Sequence, residues 1–415
     1  VNSSPTQKLG ELVEVRHGYA FKSENFVDEG PFVLVTPGNF EDHGGFKFRD
    51  KQKFYDGPVP NEFVLNPGDL LVAMTEQGEG LLGSAAFVPG GKPCLHNQRL
   101  GRVLPRDSAR VDLRFVYYLF NSRPVRAQIR GAASGAKIRH TAPGRIYAVD
   151  VPRFPIAEQR RIASILGAYD DLIEVNRRRI AVLEAMARDL FAEWFVRFRF
   201  PGHEGVEIVE TTRGAIPRDW RCVAFSDLAQ FINGFAFKPS DFEPYGLPVV
   251  KIPELKGGVS HKTPRNSGDR VPDKLHLENG DLIFSWSGTL AVSEWTCGPA
   301  LLNQHLFLVV PEGLVGRGFL KAAIEQAMPR FLSQGVGATM QHIRRAALDT
   351  TYVALPVATP LLATADSALT SFYDQVVCLR RASHSLTAAR NLLLPRLISG
   401  ELSVAAAERQ LDDAA

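Results

Sequence analysis

The chain has 415 residues, 45% hydrophobic and 22% charged, with a formal net charge of +3. This is ordinary globular usage, which excludes a largely disordered or fibrous chain, and the length suits two to four units that each bury a core. A pI near 8.6 permits nucleic-acid binding without announcing it.

No uninterrupted apolar run approaches the roughly eighteen residues of a membrane span. The opening VNSSPTQKLGEL lacks a basic segment followed by an apolar one, so the chain reads as cytoplasmic, with no membrane partner. Cys94, Cys222, Cys297 and Cys378 are scattered, without a CxxC pair or a His at zinc-ligand spacing, and read as buried free thiols in a reducing compartment.

Taken in chain order, the first half is a series of short strands separated by Gly, Pro and Asn turns, and each landmark returns later. HGYAFK at His17–Lys22 meets NGFAFK at Asn233–Lys238, 216 residues on, with Leu12 and Leu228 in the same register. NPGDLLVAM from Asn66 meets ENGDLIFSW from Glu278, each a Gly-Asp turn before an apolar strand, at an offset of 212. HNQRLGRVLP from His96 meets LNQHLFLVVP from Leu302 at 206, pairing Asn97 with Asn303 and Gln98 with Gln304. VDVP ending at Pro152 meets VALP ending at Pro356, and Tyr169-Asp170 meets Tyr373-Asp374, both at 204. Four collinear matches make the chain a tandem duplication, each copy a domain of roughly 150 residues followed by a long helix.

The helix after Pro155 carries Ile162, Leu166, Tyr169, Ile173, Asn176, Ile180, Leu183, Ala187, Leu190 and Trp194, spaced alternately four and three apart. That is a heptad seam, flanked by charges such as Arg177, Arg178 and Arg179 and stopped by Pro201 and Gly202. About 40 residues at about 1.5 Å each predict a rod of about 60 Å. Leu369, Phe372, Val376, Leu379, Ser383, Leu386, Arg390, Leu393 and Leu397 form the second seam, which stops near Gly400. A helix with one apolar stripe needs a partner; the simplest is the other copy, antiparallel because a folded domain separates them. Asn176 and Ser383 inside the seams either fix register or face solvent.

AEQRRIASIL at Ala157–Leu166, FAEWFVRF at Phe191–Phe198, IPRDW at Ile216–Trp220 and LLLPRLISGEL at Leu392–Leu402, in the order domain, helix, domain, helix, resemble the DNA-specificity subunits of Type I restriction-modification enzymes over nearly the whole length. The second copy departs from this pattern at PLLATADSAL, which lacks the Glu158–Arg160 triplet. The resemblance implies an α+β chain with two mixed α/β target-recognition domains in tandem, separated and joined by two long helices in an antiparallel coiled coil. The expected divisions are 1–153 and 201–355 for the domains, 154–200 and 356–403 for the helices, and 404–415 for a C-terminal tail. It further implies that each domain reads one half of a bipartite double-stranded DNA target while the coiled coil sets the gap. Two methyltransferase subunits would bind this chain, and endonuclease/translocase subunits would join them in the full complex.

Candidate contacts follow from side-chain chemistry. Amides of Asn97 and Gln98, and of Asn303 and Gln304, either bond adenine edges or phosphates or satisfy a loop backbone. Lys22 and Lys238 either contact phosphate or are solvated surface lysines. Basic loops place Lys137, Arg139, His140 and Arg145 in the first copy and Gln341, His342, Arg344 and Arg345 in the second, and these are expected DNA contacts. Thr75, Glu76 and Gln77 follow the first apolar strand, and Ser285, Trp286 and Ser287 end its counterpart. Because the copies diverge there, Thr75, Gln77, Ser285 and Ser287 are candidate base readers. Gly78-x-Gly80-x-x-Gly83 matches a dinucleotide fingerprint, but SAAFVPGGKP after it cannot open a helix. With no NPP[YF], GxxxxGK[ST] or PD-x(n)-ExK arrangement and no trusted metal or triad spacing, the chain is expected to need no cofactor and to catalyse nothing alone.

Overall fold

The computed structural model describes residues 5–412 except 50, 77–79, 136–137, 314, 335–342 and 344. The chain divides into two compact units, Val1–Asp171 with Thr387–Ala415, and Leu172–Leu386. Both long helices, Ile156–Phe191 and Thr359–Ser399, contribute residues to each unit.

In the first unit an antiparallel sheet runs in the order Val13–His17, Leu100–Pro105, Leu70–Ala73, Ala85–Phe87. A second, five-stranded sheet has one parallel pair, Phe32–Val35 beside Cys94–His96. The second unit repeats the first sheet strand for strand: Ala229–Asn233, Leu306–Pro311, Leu282–Ser285, Ala291–Glu294. Its other sheet again pairs Leu247–Val250 with Ala300–Leu302 in parallel.

The repeated sequence landmarks are the joints of this frame. Asp69 accepts the Asn66 N–H at 2.8 Å, and Asp281 accepts the Glu278 N–H at 2.7 Å. Each turn passes through a glycine with positive φ, Gly68 at 88° and Gly280 at 98°, where a Cβ would be strained. Leu12 and Leu228 are both buried, and their carbonyls accept the N–H groups of Arg106 and Glu312 at 2.9 and 2.8 Å.

Each domain buries its apolar face against helices from two distant parts of the chain. In the first unit Ile162, Ile165 and Leu166 join Phe115, Leu119 and Val151, and so do Leu397, Ile398, Leu402, Val404 and Ala407. Residues 404–412 therefore include a docked helix, Val404–Asp412, where a tail was expected. In the second unit Leu362, Ala365, Leu369 and Tyr373 pack with Phe319 and Phe331, and Phe191 and Phe195 enter the same core.

Within the second unit the helices pair antiparallel: Asn176 meets Ser383 and Glu184 meets Arg380. The Asn176 amide donates to Ser383 Oγ at 3.3 Å, so the two polar seam residues satisfy one another rather than face solvent. The first helix ends α-helically at Phe191 and continues as a π-helical turn, Ala192–Val196, that carries Phe195 into the core. The repeat offset within the helices is 203 rather than 204: Ile156 and Thr359 start the helices, and Arg114 pairs with Asp171 as Arg317 pairs with Asp374. The connection into the second helix is one residue shorter, which sequence identity at Tyr-Asp conceals. Of the cysteines only Cys94 is buried; Cys222 and Cys297 are half-buried and Cys378 is exposed, because it falls on the outer face of the second helix.

Candidate nucleic-acid interface

In the first unit the end of the Leu70–Ala73 strand, the start of Leu100–Pro105 and the loop after residue 133 form one edge. Met74 donates its N–H to the Arg99 carbonyl at 3.0 Å and accepts the Thr141 N–H at 2.9 Å. Thr75–Glu76 then pairs antiparallel with Arg139–His140, and Thr75 Oγ1 lies 3.2 Å from His140 Nδ1. Arg145 donates to Ser134 Oγ at 2.8 Å and to the His140 carbonyl at 3.3 Å. Thr75, Arg139, His140 and Arg145 are thus brought together, the last three exposed.

Glu76 is the fastening of this edge. It is buried, and its Oε2 accepts the N–H groups of Gly80, Leu81 and Leu82 at 3.2, 3.0 and 2.8 Å. Arg130 stands 3.6 Å from the same oxygen, and the Arg126 guanidinium donates to the carbonyls of Asp42 and Gly80. The glycine run that mimics a dinucleotide fingerprint supplies backbone N–H groups to an internal carboxylate instead. Gln77 and Lys137 lie outside the described residues.

Asn97 and Asn303 are structural. Both are buried, with Oδ1 accepting the N–H two residues on, that of Arg99 at 3.0 Å and of His305 at 3.4 Å. Each forms a parallel bridge to the aromatic of the glycine motif, Tyr19 to Asn97 and Phe235 to Asn303. A Cβ on Gly18 or Gly234 would stand 2.3 Å from the Asn97 or Asn303 carbonyl oxygen, a clash that only glycine avoids. The two motifs, Gly18 with Asn97 and Gly234 with Asn303, are far apart in sequence and are repeated because they touch. Gln98, beside Asn97, is exposed, as are Arg99 and Lys53, which sequence reasoning did not single out.

The second unit keeps the frame and changes the surface. Ile343 donates its N–H to the Trp286 carbonyl at 2.9 Å, as Thr141 does to Met74. Ser285 and Ser287 are buried, and Ser285 Oγ donates to the Ser287 and Thr289 carbonyls at 3.2 and 2.9 Å, which sets them inside the turn rather than on its face. Arg345 is exposed; Gln341, His342 and Arg344 lie outside the described residues. Lys22 and Lys238 are exposed at the starts of short 3₁₀ turns, Lys22 with a loose 3.6 Å ion pair to Glu24. No cluster of His, Cys, Asp and Glu suited to a metal and no helix long and apolar enough to cross a membrane occurs among the described residues.

Residues 4–185 match the family described as Type I restriction modification DNA specificity domain. The chain is 24% identical over 326 residues to the Type I restriction enzyme MjaIX specificity subunit of Methanocaldococcus jannaschii, covering 75% of this chain and 74% of that one. With the EcoKI specificity subunit of Escherichia coli K12 it shares 22% over 329 residues, 76% of this chain and 68% of the relative. The crystal structure of the Type I restriction-modification S subunit from M. genitalium matches with a TM-score of 0.58 at 14% identity, over 96% of both chains, and has the same fold. A duplicated sheet domain carried on paired long helices, with the specificity-domain match, defines a protein of DNA-sequence recognition. Relatives that match most of this chain, among them the MjaIX and MjaVIII proteins of Methanocaldococcus jannaschii, are specificity subunits of Type I restriction enzymes, and the chain is similar to them at 24% and 22% identity.

Proposed function

We propose that each domain reads one half of a bipartite double-stranded DNA target, and that the paired helices fix the spacer between the halves. The helices also scaffold two methyltransferase subunits, to which endonuclease/translocase subunits are added in the full complex. The chain itself is non-catalytic and acts as address and scaffold. In this reading Thr75, Arg139, His140 and Arg145 face the first half-target with Gln77 and Lys137, and Arg345 faces the second with Gln341, His342 and Arg344. Lys22 and Lys238 take phosphates, a role independent of the sequence read. Ser285 and Ser287, being buried, act by shaping the second reading turn.

The observation that carries this reading is that both domains hold one backbone frame, joint by joint, while the side chains exposed on it differ. Common framework with divergent edge is what two readers of different short sequences require. Modified bases are to be mapped by sequencing DNA from cells that co-express this chain with its cognate methyltransferase subunit. A split motif with an unread gap, lost when this chain is omitted, is expected. A stable complex that yields no motif would instead make the chain an adaptor for another ligand.

A further inference from the structure

We infer that the residue following the Asn-Gln pair is a base-reading position in each domain: Arg99 against a guanine in the first half-target and His305 against the second. This rests on the DNA-reading function proposed above and places the reading residue on the shared frame. The main chain at both positions is immobilised in the same way. Asn97 and Asn303 hold the N–H groups of Arg99 and His305, and the neighbouring Gln98 and Gln304 donate their N–H groups to the Tyr19 and Phe235 carbonyls at 2.9 Å. From this fixed point the two side chains project exposed and chemically different, a guanidinium in one copy and an imidazole in the other.

Arg99 also differs from the arginines around it. Arg102 pairs with Asp69 at 2.8 Å, Arg130 stands against Glu76, and Arg126 is bound to carbonyls. Arg99 has no carboxylate partner among the described residues. It stands with Gln98 and Lys53 at the rim of a cleft of about 230 Å³ floored by Phe21, Phe26 and Leu34. Its carbonyl bonds Met74, so it lies in the same hydrogen-bonded row as Thr75 and His140. A rigidly based, unpaired guanidinium beside an exposed amide has the donors for bidentate contact with guanine O6 and N7.

The test maps methylated motifs for the parent complex and for complexes carrying Arg99→Ala, Arg99→His and His305→Arg. Arg99→Ala should cost roughly 10- to 100-fold in discrimination at one guanine position of one half-target, the scale of a single bidentate contact. His305→Arg should alter one position in the other half only. Unchanged motifs in both halves, or a uniform loss of methylation at all sites, would overturn the assignment, the latter marking Arg99 as a phosphate contact. Absence of any split motif with the parent chain would reject the DNA-reading function itself, which separates the two failures.

Discussion

Glu76 illustrates how one buried carboxylate can organise a reading edge. Three backbone N–H groups converge on a single oxygen that solvent barely reaches, and Arg130 offsets its charge. Glu76→Ala leaves those donors unpaired, at about 1–3 kcal/mol each before relaxation. The expected result is lower unfolding stability with faster hydrogen exchange at Gly80, Leu81 and Leu82; unchanged exchange there would refute the fastening role. His96 offers a pH test in the adjoining sheet. Burial lowers its pKa to about 4 from an ordinary value near 6.5, while Nε2 donates to the Leu100 carbonyl at 3.0 Å. Below pH about 6.5 the unfolded chain takes up a proton that the folded one refuses until about pH 4. His96 therefore contributes its full stability above that window and loses it as pH falls, with a slope up to about 1.4 kcal/mol per pH unit. Denaturation curves for His96→Gln should be flatter between pH 4 and 6.5, and an identical slope in both proteins would reject this account. Neither role was legible in the sequence: Glu76 stood out only as the middle of Thr75-Glu76-Gln77 beside an apolar strand, because its partners are main-chain N–H groups that no side-chain pattern encodes.

Elements were more legible than residues, because a heptad seam records which face a helix hides. Leu166, Ala187, Leu369, Val376 and Leu397 of the seams are buried, and the two polar seam positions find one another. Hydrogen-bonded Asn176 and Ser383 cost the apolar seam some stability but penalise a slipped register, which would bury each without its partner. A double-mutant cycle with Asn176→Ala and Ser383→Ala should give a coupling of about 0.5–1.5 kcal/mol in unfolding free energy. Strict additivity would mean that the pair contributes no interaction. What the seam pattern could not reveal was its outer partners. Tyr118 donates to Asp170 at 2.6 Å, and Tyr373 donates to Glu325 at 3.2 Å. These join helix to domain through residues far apart in sequence, and only the folded chain sets them side by side.

At the scale of the molecule, duplication was readable because the repeated motifs are contacts rather than ornaments: Gly18 against Asn97, Gly234 against Asn303, and the Gly-Asp turns. The division of the core was not readable. Leu397, Ile398, Leu402 and Val404 complete the core of the first unit although the second domain intervenes in the chain. A functional exchange of residues 1–153 for the matching domain of a relative must therefore satisfy helix ends it does not bring with it. The incoming domain has to cover those apolar side chains, supply a tyrosine to Asp170 as Tyr118 does, and offer main-chain groups to Gln159, which now bonds the Asp112 N–H and the Arg110 carbonyl at 3.0 and 3.1 Å. When these contacts are kept, methylation mapping should show one half-target replaced and the other intact. Replacement or loss of both halves in a folded exchange protein would show that the domains do not read independently, since nothing in the shared frame of the second unit is altered by the exchange.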